Sequence, residues 1–176
     1  MKFNLDETIE VLSRTPGVLK VLLNDLSHNW VHNNEGSETW SPYDVVGHLI
    51  HGEKTDWITR AKIILDYGES RPFDSYDRFA QFEASKGKSI EELLEEFTAL
   101  REQNIKTLRE FKLTENDFRK TGKHPKFGKV TLEELLATWA VHDFNHIGQI
   151  ARTMAKQYDA EVGPWKEYLS ILHRRS

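Results

Sequence analysis

The sequence predicts an all-α protein, a four-helix bundle with long crossover connections, and two observations carry that prediction. Apolar residues recur at intervals of three and four over four long stretches, the period of an amphipathic helix. Three of those stretches open with Ser or Thr followed three residues later by an acid, the signature of a capping box. No stretch keeps up the apolar–polar alternation of a strand. The expectation is therefore one domain over residues 1–176, with helices starting near Leu5, Pro42, Ile90 and Leu132 and essentially no sheet.

The first helix rests on Leu5, Ile9, Leu12, Leu19, Leu22, Leu23 and Leu26. Thr15-Pro16-Gly17 interrupts it, and because proline removes a helical hydrogen bond, a kink or brief break is expected there. Residues 27–39 are polar and carry an Asn-Asn-Glu-Gly turn signal, which reads as a loop. Ser41 as N-cap, Pro42 at the first helical position, Asp44 three residues on and Trp40 stapling onto Val45 open the second helix. It runs through Leu49, Trp57, Ala61 and Leu65, and Gly68 with Pro72 ends it.

Residues 68–88 contain Phe73, Tyr76, Phe79 and Phe82 among Gly, Pro and Ser. About 20 residues is long for a structureless connection, so a short helical turn is expected over 75–82. Ser89 and Glu92 open the third helix, followed by Leu93, Leu94, Phe97 and Leu108 at helical spacing. After one further turn over 114–117, GKHPKFGK reads as a loop. Thr131 and Glu134 then open the fourth helix, and Trp165, Tyr168, Leu169 and Leu172 predict a short closing helix.

Composition excludes several classes of function. The 24 basic and 28 acidic residues are interspersed and give a formal charge of -4, which lacks the basic field that nucleic acid or an anionic membrane surface attracts. No apolar run approaches the roughly 18 residues of a membrane span. The amino terminus MKFNLDETIE is charged where a signal peptide is apolar, so a cytoplasmic protein is expected. Cysteine is absent, which removes disulfides, thiolate metal ligands and a cysteine nucleophile. Any thiol in its chemistry arrives with a co-substrate.

The residues that could carry chemistry are histidines. His142 and His146 stand four apart, one turn along one face of the fourth helix. They share the edge of its apolar stripe with Leu135, Trp139 and Ile150, where imidazoles require partners. A divalent metal ion is one partner; hydrogen bonds within a core are the other. His48, in the second turn of the second helix beside Gly47, supplies a third nitrogen and would leave an open side on the ion. His51 stands one turn further on, either as a fourth ligand or substrate-facing group or as a rim histidine. Trp40 reads as a staple residue or a substrate-facing platform. His28, His32, His124 and His173 read as solvated, and Asp143 and Asn145 as groups that could orient a ligand. The catalytic group itself is not assigned. The pair runs H-D-F-N-H rather than H-E-x-x-H, and no P-loop, G-x-S-x-G or G-x-G-x-x-G is present.

Two motifs, W-S-P-Y-D-V-V-G-H-L-I-H-G-E and H-D-F-N-H-I-G-Q-I-A-R, together with the R-T-P and G-P-W segments, resemble the DinB-like superfamily of metal-binding four-helix proteins, which includes YfiT-like and bacillithiol S-transferase groups. The resemblance covers nearly the whole chain. It implies an up-up-down-down bundle, often dimeric, with His48, His142 and His146 as the ligands of one divalent ion, nickel or zinc. Its implied activity is transfer of a low-molecular-weight thiol to an electrophile. Metal-dependent hydrolysis and a non-enzymatic metal-binding dimeric bundle stand beside it as alternatives. The implied partners are a small-molecule substrate and a second copy of the chain, without nucleic acid or membrane.

Overall fold

A computed structural model describes residues 1–77 and 79–173. It is predominantly helical, with α1 (Leu5–Leu23), α2 (His28–His32), α3 (Pro42–Thr55), α4 (Trp57–Tyr67), α5 (Ala80–Ser85), α6 (Ile90–Glu110), α7 (Glu115–Phe118) and α8 (Leu132–Lys156). All four expected helix starts are where capping chemistry puts them. Asn4, Ser41, Ser89 and Thr131 each accept a hydrogen bond at their helix's open N-terminus, and the last three do so in reciprocal capping boxes.

α1 packs on α6 and α8, and so does the α3–α4 pair. Two apolar clusters give the helix directions. The lower cluster joins Ile9 and Leu12 of α1 to Trp57 and Ile64 of α4, Leu108 of α6 and Leu132 of α8. The upper cluster joins Leu23 of α1 to Val45 and Leu49 of α3, Leu93 of α6 and Ile150 of α8. α1 and α8 therefore run up while α3–α4 and α6 run down. The bundle is up-down-down-up, which corrects the up-up-down-down order implied by the resemblance. The physical reason is the crossover at residues 68–89, which returns the chain along the full length of the bundle so that α6 starts beside α3. This order makes α3 and α8 antiparallel neighbours, and both carry the histidines of interest.

Other expectations are also corrected. The stretch read as a GKHPKFGK loop is a two-stranded antiparallel hairpin, β1 (Thr121–His124) with β2 (Gly128–Thr131), paired from Thr121↔Thr131 to His124↔Gly128. Its strands are too short and too polar to show a period of two, and Gly128 closes its turn at a φ of 73°. A Cβ on Gly122 would lie 2.7 Å from Ile64 and 2.9 Å from Phe73, so only glycine lets the hairpin sit this close to α4. The second helix breaks at Asp56, whose φ and ψ of −109° and −76° separate α3 from α4. The loop at 27–39 contains α2, and the helical turn of the crossover lies at Ala80–Ser85. The closing segment is 3-10 turns, Gly163–Tyr168 and Ser170–Leu172, of which Leu172 is buried.

α1 is continuous through Pro16. Proline has no N–H for the carbonyl of Leu12, and the guanidinium of Arg101 replaces it, Nη1 donating to Leu12 O at 2.9 Å. Arg101 also donates to Asp143 (Nη1–Oδ2 2.6 Å, Nη2–Oδ1 2.9 Å) and to Glu53 Oε1 at 2.8 Å. Glu53 further accepts from Trp139 Nε1 and Asn104 Nδ2, and Asp143 from Thr15 Oγ1. Apart from half-buried Asn104 this network is buried, and it ties all four long helices together between the two apolar clusters.

Candidate metal centre

His48 is placed by the start of α3. The Ser41–Asp44 box and Pro42 fix the first turn, and His48 follows in the second, buried at the face that meets α8. Gly47 beside it makes room for α5, since a Cβ there would lie 2.5 Å from Ser85 Oγ. Tyr43 ties the same region down by donating to Lys88 O at 2.9 Å. α5 and the segment before it thereby bring Tyr76 edge-on to His48 at 5.6 Å and Phe82 edge-on to Trp40 at 6.4 Å, with Phe79 on the wall of the same cavity.

The structure brings His48, His142 and His146 together. His142 Nε2 is 3.1 Å from His48 Nε2 and 3.1 Å from His146 Nε2, and the three ligand atoms lie within 4.8 Å of one another. The outer nitrogens fix the rings. His146 Nδ1 donates to Gln149 Oε1 at 2.8 Å, which leaves its Nε2 as a lone pair facing the cluster. Tyr76 Oη lies 3.0 Å from His48 Nδ1. Trp57 stands edge-on to His142 at 5.1 Å and stacks on Trp139 at 5.7 Å.

Burial keeps the imidazoles of His142 and His146 neutral. His142 is pushed down to about 2, first by desolvation, then by His146, His48 and Arg101. His146 is also lowered by desolvation, which Gln149 and Asp143 oppose. The donor set fits a divalent ion. Metal–nitrogen bonds of about 2.1 Å put two ligands about 3.0 Å apart at right angles and about 3.4 Å apart in a tetrahedron, and the observed 3.1 Å separations fall in that range. Imidazoles packed with their Nε2 atoms at such separations are what a cation would hold together.

The cluster opens on a cavity of about 870 Å³, within the range of small-molecule sites. Trp40, Tyr76, Phe79 and Phe82 line one side of it, and Asn145, Gln149 and Arg152 continue the α8 side. Trp40 stands 4.9 Å from the His48 ring. His51 lies half-buried, edge-on to Tyr76 at 4.9 Å, and is not among the side chains that line the cavity.

Of the two residues that could orient a ligand, Asn145 lines the cavity, whereas both oxygens of Asp143 are engaged by Arg101 and Thr15. His124, expected to be solvated, is half-buried in the hairpin, accepts from the backbone N–H of Lys126 and Phe127, and reaches the cavity. His28 and His32 stack at 4.2 Å away from it. Sequence reasoning missed Arg101, Glu53, Gln149 and Tyr76. Arg101 and Glu53 were signalled by charges at apolar-stripe positions, four residues from Phe97 and from Leu49; Gln149 stands three residues after His146 on the same face.

A search of curated proteins finds no match. Among solved structures, YfiT from Bacillus subtilis, described as a probable metal-dependent hydrolase with an unusual four-helix bundle topology, is 25% identical over 89% of each chain, with a TM-score of 0.75. TT2238, a four-helix bundle protein, is 16% identical over 85% of this chain and 100% of its own at a TM-score of 0.53, a likeness of fold alone. The profile of the DinB superfamily matches residues 12–150. The chain belongs to the DinB superfamily.

Proposed function

We propose that the protein is a divalent-metal-dependent enzyme that transfers a low-molecular-weight thiol to a small electrophile, with His48, His142 and His146 holding one nickel or zinc ion. The observation that carries this reading is the convergence of three Nε2 atoms at the wall of a cavity of about 870 Å³. A divalent ion there would lower the pKa of a thiol or water that it binds and polarise the bond under attack.

The chain's own side chains do the rest. Burial holds His142 and His146 in the neutral form that coordinates a metal, Gln149 fixes the ring of His146, and Tyr76 meets that of His48. Trp40, Tyr76, Phe79 and Phe82 give an apolar wall against which an electrophile packs. Among the described residues the cluster holds three histidines and no carboxylate. A thiol, with an ordinary pKa of about 8.5, needs less help from a protein base than water does.

Hydrolysis is the second reading, favoured by the similarity to YfiT. Metal-loaded protein assayed with monochlorobimane and a panel of thiols separates the two. Product that forms only with both thiol and metal supports transfer; metal-dependent cleavage of an ester or amide without thiol supports hydrolysis. Full metal occupancy with neither activity leaves the non-enzymatic bundle. The reading extends to a single-domain, cytoplasmic homodimer without nucleic-acid or membrane partners. Exposed Val21, Val141 and Phe144 on α1 and α8 support the dimer. No helix among the described residues is long and apolar enough to cross a membrane.

A further inference from the structure

Two arginines line the cavity on either side of the histidine cluster with hydrogen-bond donors unused. Arg152 lies on α8, six residues and about 9 Å of helix beyond His146. Its side chain is 18% exposed and its Nε donates to Glu35 Oε1 at 2.8 Å, an oxygen that Thr153 Oγ1 also reaches at 3.0 Å. Arg60 lies on α4, towards the lower cluster, 12% exposed, its Nε paired with Asp56 and its guanidinium 5.2 Å over the Phe73 ring. Both arginines line the same cavity as His48, His142 and His146. Among the described residues, no Nη of either arginine has a protein hydrogen-bond acceptor.

The two arrangements share one logic. A carboxylate on Nε neutralises and orients the guanidinium but leaves its Nη edge for another acceptor. That edge is a planar fork that matches a carboxylate or phosphate with two parallel hydrogen bonds. Because each arginine is already charge-paired, the pair makes no general field for counter-ions; it selects a ligand that presents an acceptor in the right place. α8 and α3–α4 are antiparallel, so Arg152 and Arg60 sit towards opposite ends of the cavity with the histidines between them.

We propose that the cavity holds its organic ligand by anionic groups, with Arg152 as the anchor at one end and Arg60 at the other, and with the ligand's reacting atom between them at the histidine cluster. The position of the reacting atom rests on the function proposed above; the two anchors do not.

Calorimetric titration of zinc-loaded protein with α,ω-dicarboxylates from succinate to sebacate, and with inorganic phosphate, tests the anchors without any turnover. Affinity is expected to rise to a maximum at one chain length. Arg152→Gln and Arg60→Gln should each weaken binding at that length on the order of tenfold and flatten the length dependence. Arg152→Lys, which keeps the charge and loses the fork, should do nearly the same and serves where the Gln variant fails to fold. Wild-type protein stripped of metal should keep its dicarboxylate affinity within about threefold. Phosphate that competes with the same variant pattern extends the anchors to phosphate groups; carboxylate binding alone restricts them to carboxylates, and either supports the proposal. No binding by the zinc-loaded wild type, affinity independent of chain length and of both arginines, or binding lost when the metal is stripped from the wild type would overturn it.

Discussion

His142 is the centre of the site, because its Nε2 stands 3.1 Å from the Nε2 of both other histidines. Helical spacing alone placed it on the same face as His146, one turn away, but no local signal reports what the far nitrogens of the rings touch, since Tyr76 arrives from a crossover 28 residues after His48. Gln149→Leu frees His146 to rotate and is expected to weaken metal affinity on the order of 10- to 100-fold, as measured by competition with a chelator. Unchanged affinity would remove Gln149 from the account. The pH dependence of the metal-free protein follows from the same burial. His142, held at about 2, and His146, His51 and His124, all lowered mainly by burial, stay neutral in the fold while the unfolded chain protonates them near 6.5. The unfolded state thus binds more protons, so stability is full above about 6.5 and falls as pH drops below it. Urea midpoints should decline between about pH 7.5 and 5, less steeply in His142→Phe, with carboxylates contributing little in that window.

At the scale of elements, the long helices were legible because their starts are written in caps and their faces in a 3.6-residue period. The hairpin was not, because its four-residue strands show no alternation and owe their position to Gly122 meeting Ile64 and Phe73. Gly122→Ala should therefore cost about 1–3 kcal/mol in denaturant unfolding through overpacking. The continuity of α1 was hidden for a different reason. Proline's missing donor is visible in sequence, whereas its replacement by Arg101, 89 residues from Leu12, is a tertiary fact. Arg101→Met would leave Glu53 and Asp143 as buried carboxylates without their cation, and Leu12 O without its donor. A loss of about 3–5 kcal/mol is expected, and a loss below 1 kcal/mol would show that the network does not hold the helices in register.

For the molecule as a whole, the up-down-down-up order is what makes α3 and α8 neighbours. His48 meets His142 and His146 only because the chain crosses from α1 to α3 and from α6 to α8 at the ends of the bundle, while residues 68–89 run back along its length. The three candidate ligands were legible as residues; the directions of the helices that join them were not, since caps and periods carry no sign. The same assembly exposes Val21, Val141 and Phe144, so light scattering should find a mass near twice 20.5 kDa. A concentration-independent 20.5 kDa would remove the homodimer from the proposal.

The proposed function stands or falls on one divalent ion held by three histidines from two antiparallel helices. Elemental analysis of protein purified without a nickel column measures it, for wild type and for His48→Ala, His142→Ala, His146→Ala and His51→Ala. One ion per chain in wild type and in His51→Ala, and severe loss in each of the other three, is the predicted result. Full occupancy in His48→Ala would contradict it, because the ion would then be held without α3.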